Sequence, residues 1–67
     1  METIINNVHL RILKNKTVYQ IFANGGILPI DMEYRGKRGW EFISDETPKP
    51  LIDIQSQISD FIKVNSC

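Results

Sequence analysis

Apolar and polar residues alternate along the first half of the chain, a pattern typical of strands that bury one face. In the segment VHLRIL, the apolar residues Val8, Leu10 and Ile12 are separated by polar ones, which predicts a strand over about residues 8–13. The segment TVYQIF follows and predicts a second strand over about residues 17–23. Both strands should turn their apolar residues towards one common core.

The residues between these strands predict a hairpin. A two-residue turn at Asn15–Lys16 would join the strands and set Ile12 opposite Tyr19. In that register the reverse face of the hairpin is not fully polar. It carries the apolar residues Leu13, Val18 and Phe22.

Two further strands are predicted after the turn signal ANGG, because asparagine and glycine tolerate the positive φ that chain reversals need. Alternation at Leu28, Ile30, Met32 and Tyr34 predicts a strand over about residues 27–34. The segment WEFI predicts a fourth strand over about residues 40–44. If Tyr34 faces Trp40, then Met32 faces Phe42, and these aromatic residues should point into the core.

Beyond Ser44 the apolar period changes to that of a helix. Leu51, Ile54, Ile58, Phe61 and Ile62 follow helical spacing, and polar residues fill the other positions. This predicts one amphipathic helix over about residues 48–64, with Thr47 as N-cap and Pro48 in the first turn. The predicted fold class is therefore α+β: an antiparallel meander of about four strands, with one C-terminal amphipathic helix packed on one face.

Length and composition limit the function classes. Sixty-seven residues form a single small domain, and eleven isoleucines and three valines favour strands. The formal net charge is zero, so the overall field does not draw the chain to nucleic acid or anionic lipid. Cys67 is the only cysteine, which favours a reducing, cytoplasmic location without disulfides. The acid in METIINN and the short apolar runs predict neither a signal peptide nor a membrane span.

The chain contains few residues typical of catalytic or metal-binding motifs. His9 is the only histidine and sits in a strand, and ANGGIL lacks the lysine and the hydroxyl residue of a phosphate-binding loop. In the predicted register Glu33 stands opposite Glu41, with Asp31 on the same face. Opposed carboxylates need positive charge nearby, so the loop cations should fold back on them; a divalent cation is the alternative. The sequence predicts no enzyme, no cofactor and no metal site, although a site shared between copies stays open.

The segment YRGKRGWEFIS concentrates cations and aromatic residues. Arg35, Lys37 and Arg38, flanked by Tyr34 and Trp40, are the components of single-stranded nucleic-acid binding, in which bases stack on aromatics and cations hold phosphates. Acidic residues surround these cations, however, which weakens phosphate binding. A solvated hairpin tip or a protein contact is the preferred interpretation, and nucleic-acid binding is the alternative.

Residues 36–44, GKRGWEFIS, resemble the G-x-x-G-W-E-[LF]-[VI]-S ending of a family of small uncharacterised bacterial proteins. The resemblance covers nine residues and implies no active site, because that family has no assigned chemistry. In physical terms Gly39 allows a tight entry, Trp40 and Phe42 fill the core, and Glu41 faces water. A meander followed by SDETPKP and a helix also resembles the small barrel chromatin proteins of archaea, but those are strongly basic.

The predicted function is that of a small, non-enzymatic regulatory module. It would bind another protein or itself through an exposed face or an unpaired strand edge of the sheet, as an inhibitor, an antitoxin-like regulator or a phage or mobile-element effector. One helix covers one face of a sheet, so the other face, of which Ile43 is a candidate member, should lie exposed; it carries Leu13, Val18 and Phe22. These three residues are the predicted contacts. Arg35, Lys37 and Arg38 are the predicted steering rim.

Overall fold

The computed structural model describes residues 1–65, which form one five-stranded antiparallel sheet followed by helices. The strands are β1 (Glu2–Ile5), β2 (Val8–Asn15), β3 (Val18–Ala23), β4 (Ile30–Tyr34) and β5 (Trp40–Phe42). They lie side by side in chain order, so the sheet is a meander. A 3-10 turn at Gly36–Arg38 joins β4 to β5, and the helices are α1 (Lys49–Ile52) and α2 (Gln55–Asn65). The predicted α+β class is confirmed.

The first strand, β1, is the element that the apolar pattern does not predict. It pairs with β2 from Glu2 opposite Arg11 to Ile5 opposite Val8. A two-residue turn at Asn6–Asn7 joins them, and both asparagines have positive φ, 49° and 65°. Such a turn matches the right-handed twist of the strands it joins, and asparagine adopts it more readily than most residues.

The hairpin of β2 and β3 turns one residue later than predicted, at Lys16–Thr17 instead of Asn15–Lys16. Ile12 consequently pairs with Ile21 and not with Tyr19. Because the partner shifts by two positions, every side chain stays on its predicted face. The predicted register is wrong, and the predicted division of the faces is confirmed.

The register of β4 and β5 is confirmed. Met32 lies opposite Phe42 and Tyr34 opposite Trp40. Met32 is fully buried, but Tyr34 is 57% exposed, so the prediction that it points into the core is wrong. Tyr34 ends its strand and rests against the outside of Trp40, with ring centroids 5.4 Å apart. The inner side of Trp40 contacts Tyr19 edge-on at 4.8 Å.

The strand predicted over 27–34 begins only at Ile30. Ile27 is 89% exposed and Leu28 is 80% exposed, so Leu28 does not continue the buried face. Pro29, which has no N–H to donate to a ladder, separates these two residues from β4. They belong to the loop that follows the turn at Asn24–Gly25, where φ is again positive.

The single helix predicted over 48–64 is two helices with a tight turn at residues 53–54. There the N–H of Ile54 bonds to the carbonyl of Leu51, three residues earlier and not four. The predicted N-cap is also wrong: Pro48 occupies that position. The hydroxyl of Thr47 instead donates to the carbonyl oxygen of Ser44 at 2.7 Å.

One layer of core lies between the sheet and the helices. Its buried side chains come from β2, β3, β4, α1, α2 and the turn between the two helices, and most are isoleucine or leucine. They are Leu10, Ile12, Tyr19, Ile21, Met32, Leu51, Ile54, Ile58 and Ile62. Full burial of an isoleucine contributes about 2 kcal/mol to the hydrophobic stabilisation. The helices cover this face only, as the pattern predicted.

Candidate protein-interaction surface

The face of the sheet opposite α1 and α2, called here the helix-free face, carries the three predicted contact residues. Leu13 is 38% exposed, and Val18 and Phe22 are half-buried. Leu13 pairs with Gln20, so Val18 and Phe22 are its diagonal neighbours across the strand pair. The structure thus brings the predicted residues together on a surface that no helix covers.

Two further isoleucines are exposed on the helix-free face. Ile4, from the unpredicted strand β1, is 59% exposed and pairs with His9. Ile43 follows β5, is 44% exposed, and its N–H bonds to the carbonyl of Asp31. Sequence reasoning did not find Ile4 because it did not find β1. The available signal was the asparagine pair at residues 6–7.

A cleft of about 910 Å³ opens on the helix-free face beside β1. It is referred to below as the β1 cleft. The residues that line it include Glu2, Ile4, His9, Arg11, Phe22 and Ile27. The floor is the sheet, and one wall is the loop that contains Gly25, Gly26 and Ile27.

Asn24 holds that loop against the sheet. Its side-chain oxygen accepts a hydrogen bond from the backbone N–H of His9 at 3.1 Å. Its own N–H donates to the carbonyl oxygen of His9 at 2.8 Å. The two bonds continue the β2–β3 pairing one residue beyond β3. The loop that carries the exposed Ile27 therefore starts from a residue that is held against β2.

Charges divide the helix-free face into two ends. Arg11 and His9 lie on β2, near the β1 cleft. Carboxylates lie at the other end, where Glu33 on β4 stands opposite Glu41 on β5, as predicted. Asp31 lies on the same face, and its Oδ1 is buried without a hydrogen-bond partner among the described residues. At the first end Glu2 stands directly opposite Arg11 on the same face and offsets its charge, so that end is close to neutral, and the other end carries the three carboxylates.

The predicted steering rim is partly neutralised. Arg35 contacts Glu33 with 3.3 Å between Nη2 and Oε2, and Arg38 contacts Glu41 with 3.8 Å between Nε and Oε2. The prediction that loop cations fold back over these carboxylates is confirmed for both arginines. Exposed pairs of this kind contribute about 0–1 kcal/mol each. Lys37 lies between them in the 3-10 turn.

The structure adds two findings on other kinds of site. Within residues 1–65, no group of three or more histidine, cysteine or acidic side chains is arranged to hold a metal ion. In the same part of the chain, neither helix has the length and apolar character needed to cross a bilayer. Cys67, the one thiol of the sequence, lies outside the described residues.

Comparisons with known proteins add no relative. No protein-family model, no curated protein and no solved structure matches this chain. The local resemblance of residues 36–44 therefore stays a resemblance, and function has to be inferred from the surfaces of the molecule.

Proposed function

We propose that this chain is a non-enzymatic, protein-binding regulatory module that contacts its partner through the helix-free face. The observation that carries the proposal is the uncovered apolar surface formed by Phe22 and its exposed diagonal neighbour Leu13. Apolar side chains grouped on a sheet face, with charged residues around them, are typical of protein-interaction sites. Regulation or inhibition of the partner is the use that fits a domain of this size.

In the proposed complex, Phe22 is the anchor. It is half-buried and lines the β1 cleft, so an apolar side chain of the partner can pack against it inside the cleft. Aromatic anchors in pockets provide much of the affinity of protein interfaces. The partner should therefore present an apolar residue at the centre of its contact surface.

The charges of the face specify the partner further. Glu2 offsets the charge of Arg11 at one end. At the other end Arg38 contacts Glu41, so Asp31, whose Oδ1 has no hydrogen-bond partner among the described residues, is the group that attracts a basic side chain of the partner. This arrangement fixes the orientation of the complex more than its affinity. Lys37, with Arg35 and Arg38, would act on the rate of association. We place the activity in the cytoplasm, in keeping with a chain that has one cysteine.

The test is a pair of matched substitutions. Partners are captured from cell extract with the unaltered chain, and the complex is then reconstituted from purified components. We expect Phe22→Asp to weaken it by about thirtyfold or more, as for an interface anchor. Ile52→Asp is the control, since Ile52 is exposed on α1, away from this face. Circular dichroism checks that both variants fold, and Leu13→Asp replaces Phe22→Asp if that variant unfolds.

Equal affinity of the unaltered chain, Phe22→Asp and Leu13→Asp would refute this contact surface. A loss of affinity in all variants, Ile52→Asp included, would also refute it, because the effect would then not be specific to the helix-free face.

A second candidate function is the binding of single-stranded nucleic acid by the loop after β4. One observation favours it: Tyr34 is exposed at the base of that loop and is open to a stacking base. The ion pairs of Arg35 and Arg38 oppose it. Retention on a polyanion column near physiological salt, lost when Arg35, Lys37 and Arg38 are replaced by alanine, would support this function, and passage without retention would exclude it.

A further inference from the structure

The two edges of the sheet differ in whether side chains of the same chain bond to their outward backbone groups. At the β5 edge, the outward N–H of Trp40 donates to Ser59 Oγ at 2.9 Å, and that of Phe42 donates to Gln55 Oε1 at 3.1 Å. Both acceptors belong to α2. The side chains of this helix therefore close the β5 edge and leave no free donor there for another strand.

At the β1 edge, the corresponding groups point away from the molecule. Met1 and Ile12 exchange two backbone hydrogen bonds, of 2.7 and 2.8 Å. In an antiparallel pair, residues alternate between inward and outward bonding, so Thr3 also bonds to β2. The N–H and C=O groups of Glu2 and Ile4 then face outward, and no hydrogen bond from residues 1–65 reaches them across that edge.

The β1 edge also lacks the stronger forms of edge-strand protection. Lysine, proline or a bulge often blocks such an edge, and Glu2–Ile5 contains none of them; its protection is limited to its short length and the one charge of Glu2. Apolar surface flanks the strand on both sides. On the helix-free face, Ile4 lines the β1 cleft, and on the helix side Ile5 and Phe61 line a second groove of about 520 Å³.

We infer that β1 pairs antiparallel with β1 of a second copy of this chain, about a two-fold axis that passes between the two Thr3 residues. In this register, Glu2 of one copy lies opposite Ile4 of the other. Each of these pairs exchanges two hydrogen bonds, about four in all, which uses every outward group of the strand. The product is a continuous sheet with five strands from each copy.

Neighbouring two-fold registers of the β1–β1 pair should be less stable. A shift one way sets Glu2 opposite Glu2 of the second copy, and like charges directly opposed are destabilising. A shift the other way centres the axis on Ile4 and sets Glu2 opposite Asn6. The backbone of Asn6 has a φ of 49° and has left the strand, so the bonds to Glu2 are lost. Only the register centred on Thr3 pairs the outward N–H and C=O groups of both Glu2 and Ile4. It also keeps the two Glu2 carboxylates from facing each other.

This pairing goes beyond the proposed function, because it uses the edge of the sheet and leaves Phe22 and Leu13 uncovered. The two helix-free faces would lie side by side on the same surface of the joined sheet. A dimer would therefore present two copies of the proposed contact surface to one partner. Either inference can fail while the other holds.

The register is tested by cysteine cross-linking in a Cys67→Ser background, which removes the one native thiol. Thr3 would face itself in a non-hydrogen-bonded pair, with Cα atoms about 4.5 Å apart, within the range of a disulfide. We expect Thr3→Cys to form a covalent dimer under mild oxidation. The matched control is Ile4→Cys, in which the two residues would lie on a diagonal, with Cα atoms about 7–8 Å apart, and cross-link at least tenfold more slowly.

The assembly itself is tested by sedimentation and amide exchange as a function of concentration. We expect a monomer–dimer equilibrium, with the amides of Glu2 and Ile4 protected only in the dimer. Ile4→Pro removes one outward donor per copy and no bond to β2, and should raise the dissociation constant about tenfold or more. Phe22→Asp should leave the dimer intact.

Three results would overturn the inference: a chain that stays monomeric at every attainable concentration, cross-linking of Thr3→Cys no faster than that of Ile4→Cys, or a dimer in which the amide of Ile4 exchanges freely. A dimer that dissociates on Phe22→Asp but not on Ile4→Pro would place the contact on the helix-free face instead.

Discussion

The hydroxyl oxygen of Ser59 on α2 accepts the backbone N–H of Trp40 on β5 at 2.9 Å. This contact depends on the residue between the loop and β5. Gly39 has a φ of 73° and a ψ of −140°, and a Cβ at this position would collide with Ser59 Oγ. The helix can therefore approach the strand edge only because residue 39 has no side chain.

Removing the hydroxyl tests that contact. We expect Ser59→Ala to lower the free energy of unfolding by about 1–3 kcal/mol, because Ser59 is buried and the N–H of Trp40 would lose its acceptor. Ser56→Ala is the control on the same helix, where the side chain is exposed and the change should stay within about 0.5 kcal/mol. Urea denaturation measures both. Equal stability of the two variants would show that this bond does not stabilise the fold.

Alanine substitutions at Gly39 and Gly36 distinguish backbone strain from a steric collision with the Ser59 side chain. Both glycines have positive φ, but a Cβ at Gly36 would meet nothing within 4 Å. We expect Gly36→Ala to cost about 1 kcal/mol from backbone strain, and Gly39→Ala roughly 2–4 kcal/mol, since strain and loss of the Ser59 contact add. Thermal or urea unfolding measures the loss of stability in each variant. The explanation fails if Gly39→Ala costs no more than Gly36→Ala.

Leu28 and Ile21 test the boundary of the buried face. Ile21 is fully buried, and we expect Ile21→Ala to cost about 2–5 kcal/mol through lost burial and the cavity left behind. Leu28→Ala should change the free energy of unfolding by less than about 0.5 kcal/mol, because the side chain is in water. A large cost for Leu28→Ala in chemical denaturation would mean that β4 begins earlier than Ile30.

Asp31 is expected to lower the stability of the fold. One carboxylate oxygen is buried without a partner, and the residue lies within β4, between β3 and β5. We expect Asp31→Val to raise the free energy of unfolding by about 1 kcal/mol, because a β-branched side chain suits a strand and needs no hydrogen bond. Glu33→Val, on the same strand and face, should give less, since Glu33 contacts Arg35. A lower stability of Asp31→Val than of the unaltered chain would contradict this.

Much of the fold followed from local patterns. The alternation at Leu10 and Ile12 predicted the buried face of β2, and the pairing of Tyr34 with Trp40 predicted the register of β4 and β5. Alternation fixes which side chains share a face, so an error of one residue at the Lys16–Thr17 turn moved the partners by two positions and changed no face.

The candidate surface was predicted in part. Leu13, Val18 and Phe22 were found because their position depends only on strand parity. The β1 cleft was not predicted, since it requires β1 to pair with β2 and the loop at Ile27 to form one of its walls. Both are contacts between segments whose local patterns are short or irregular.

Sequence alone determined the α+β class, the side of each strand that is apolar and the helical period after Ser44, because these depend on the spacing of neighbouring side chains. Tertiary structure decided the exposure of Tyr34 and Leu28, the closure of the β5 edge by Ser59 and the open edge at β1. These features depend on which backbone groups of distant segments meet, and hydrogen bonds between such segments leave no periodic trace in the sequence.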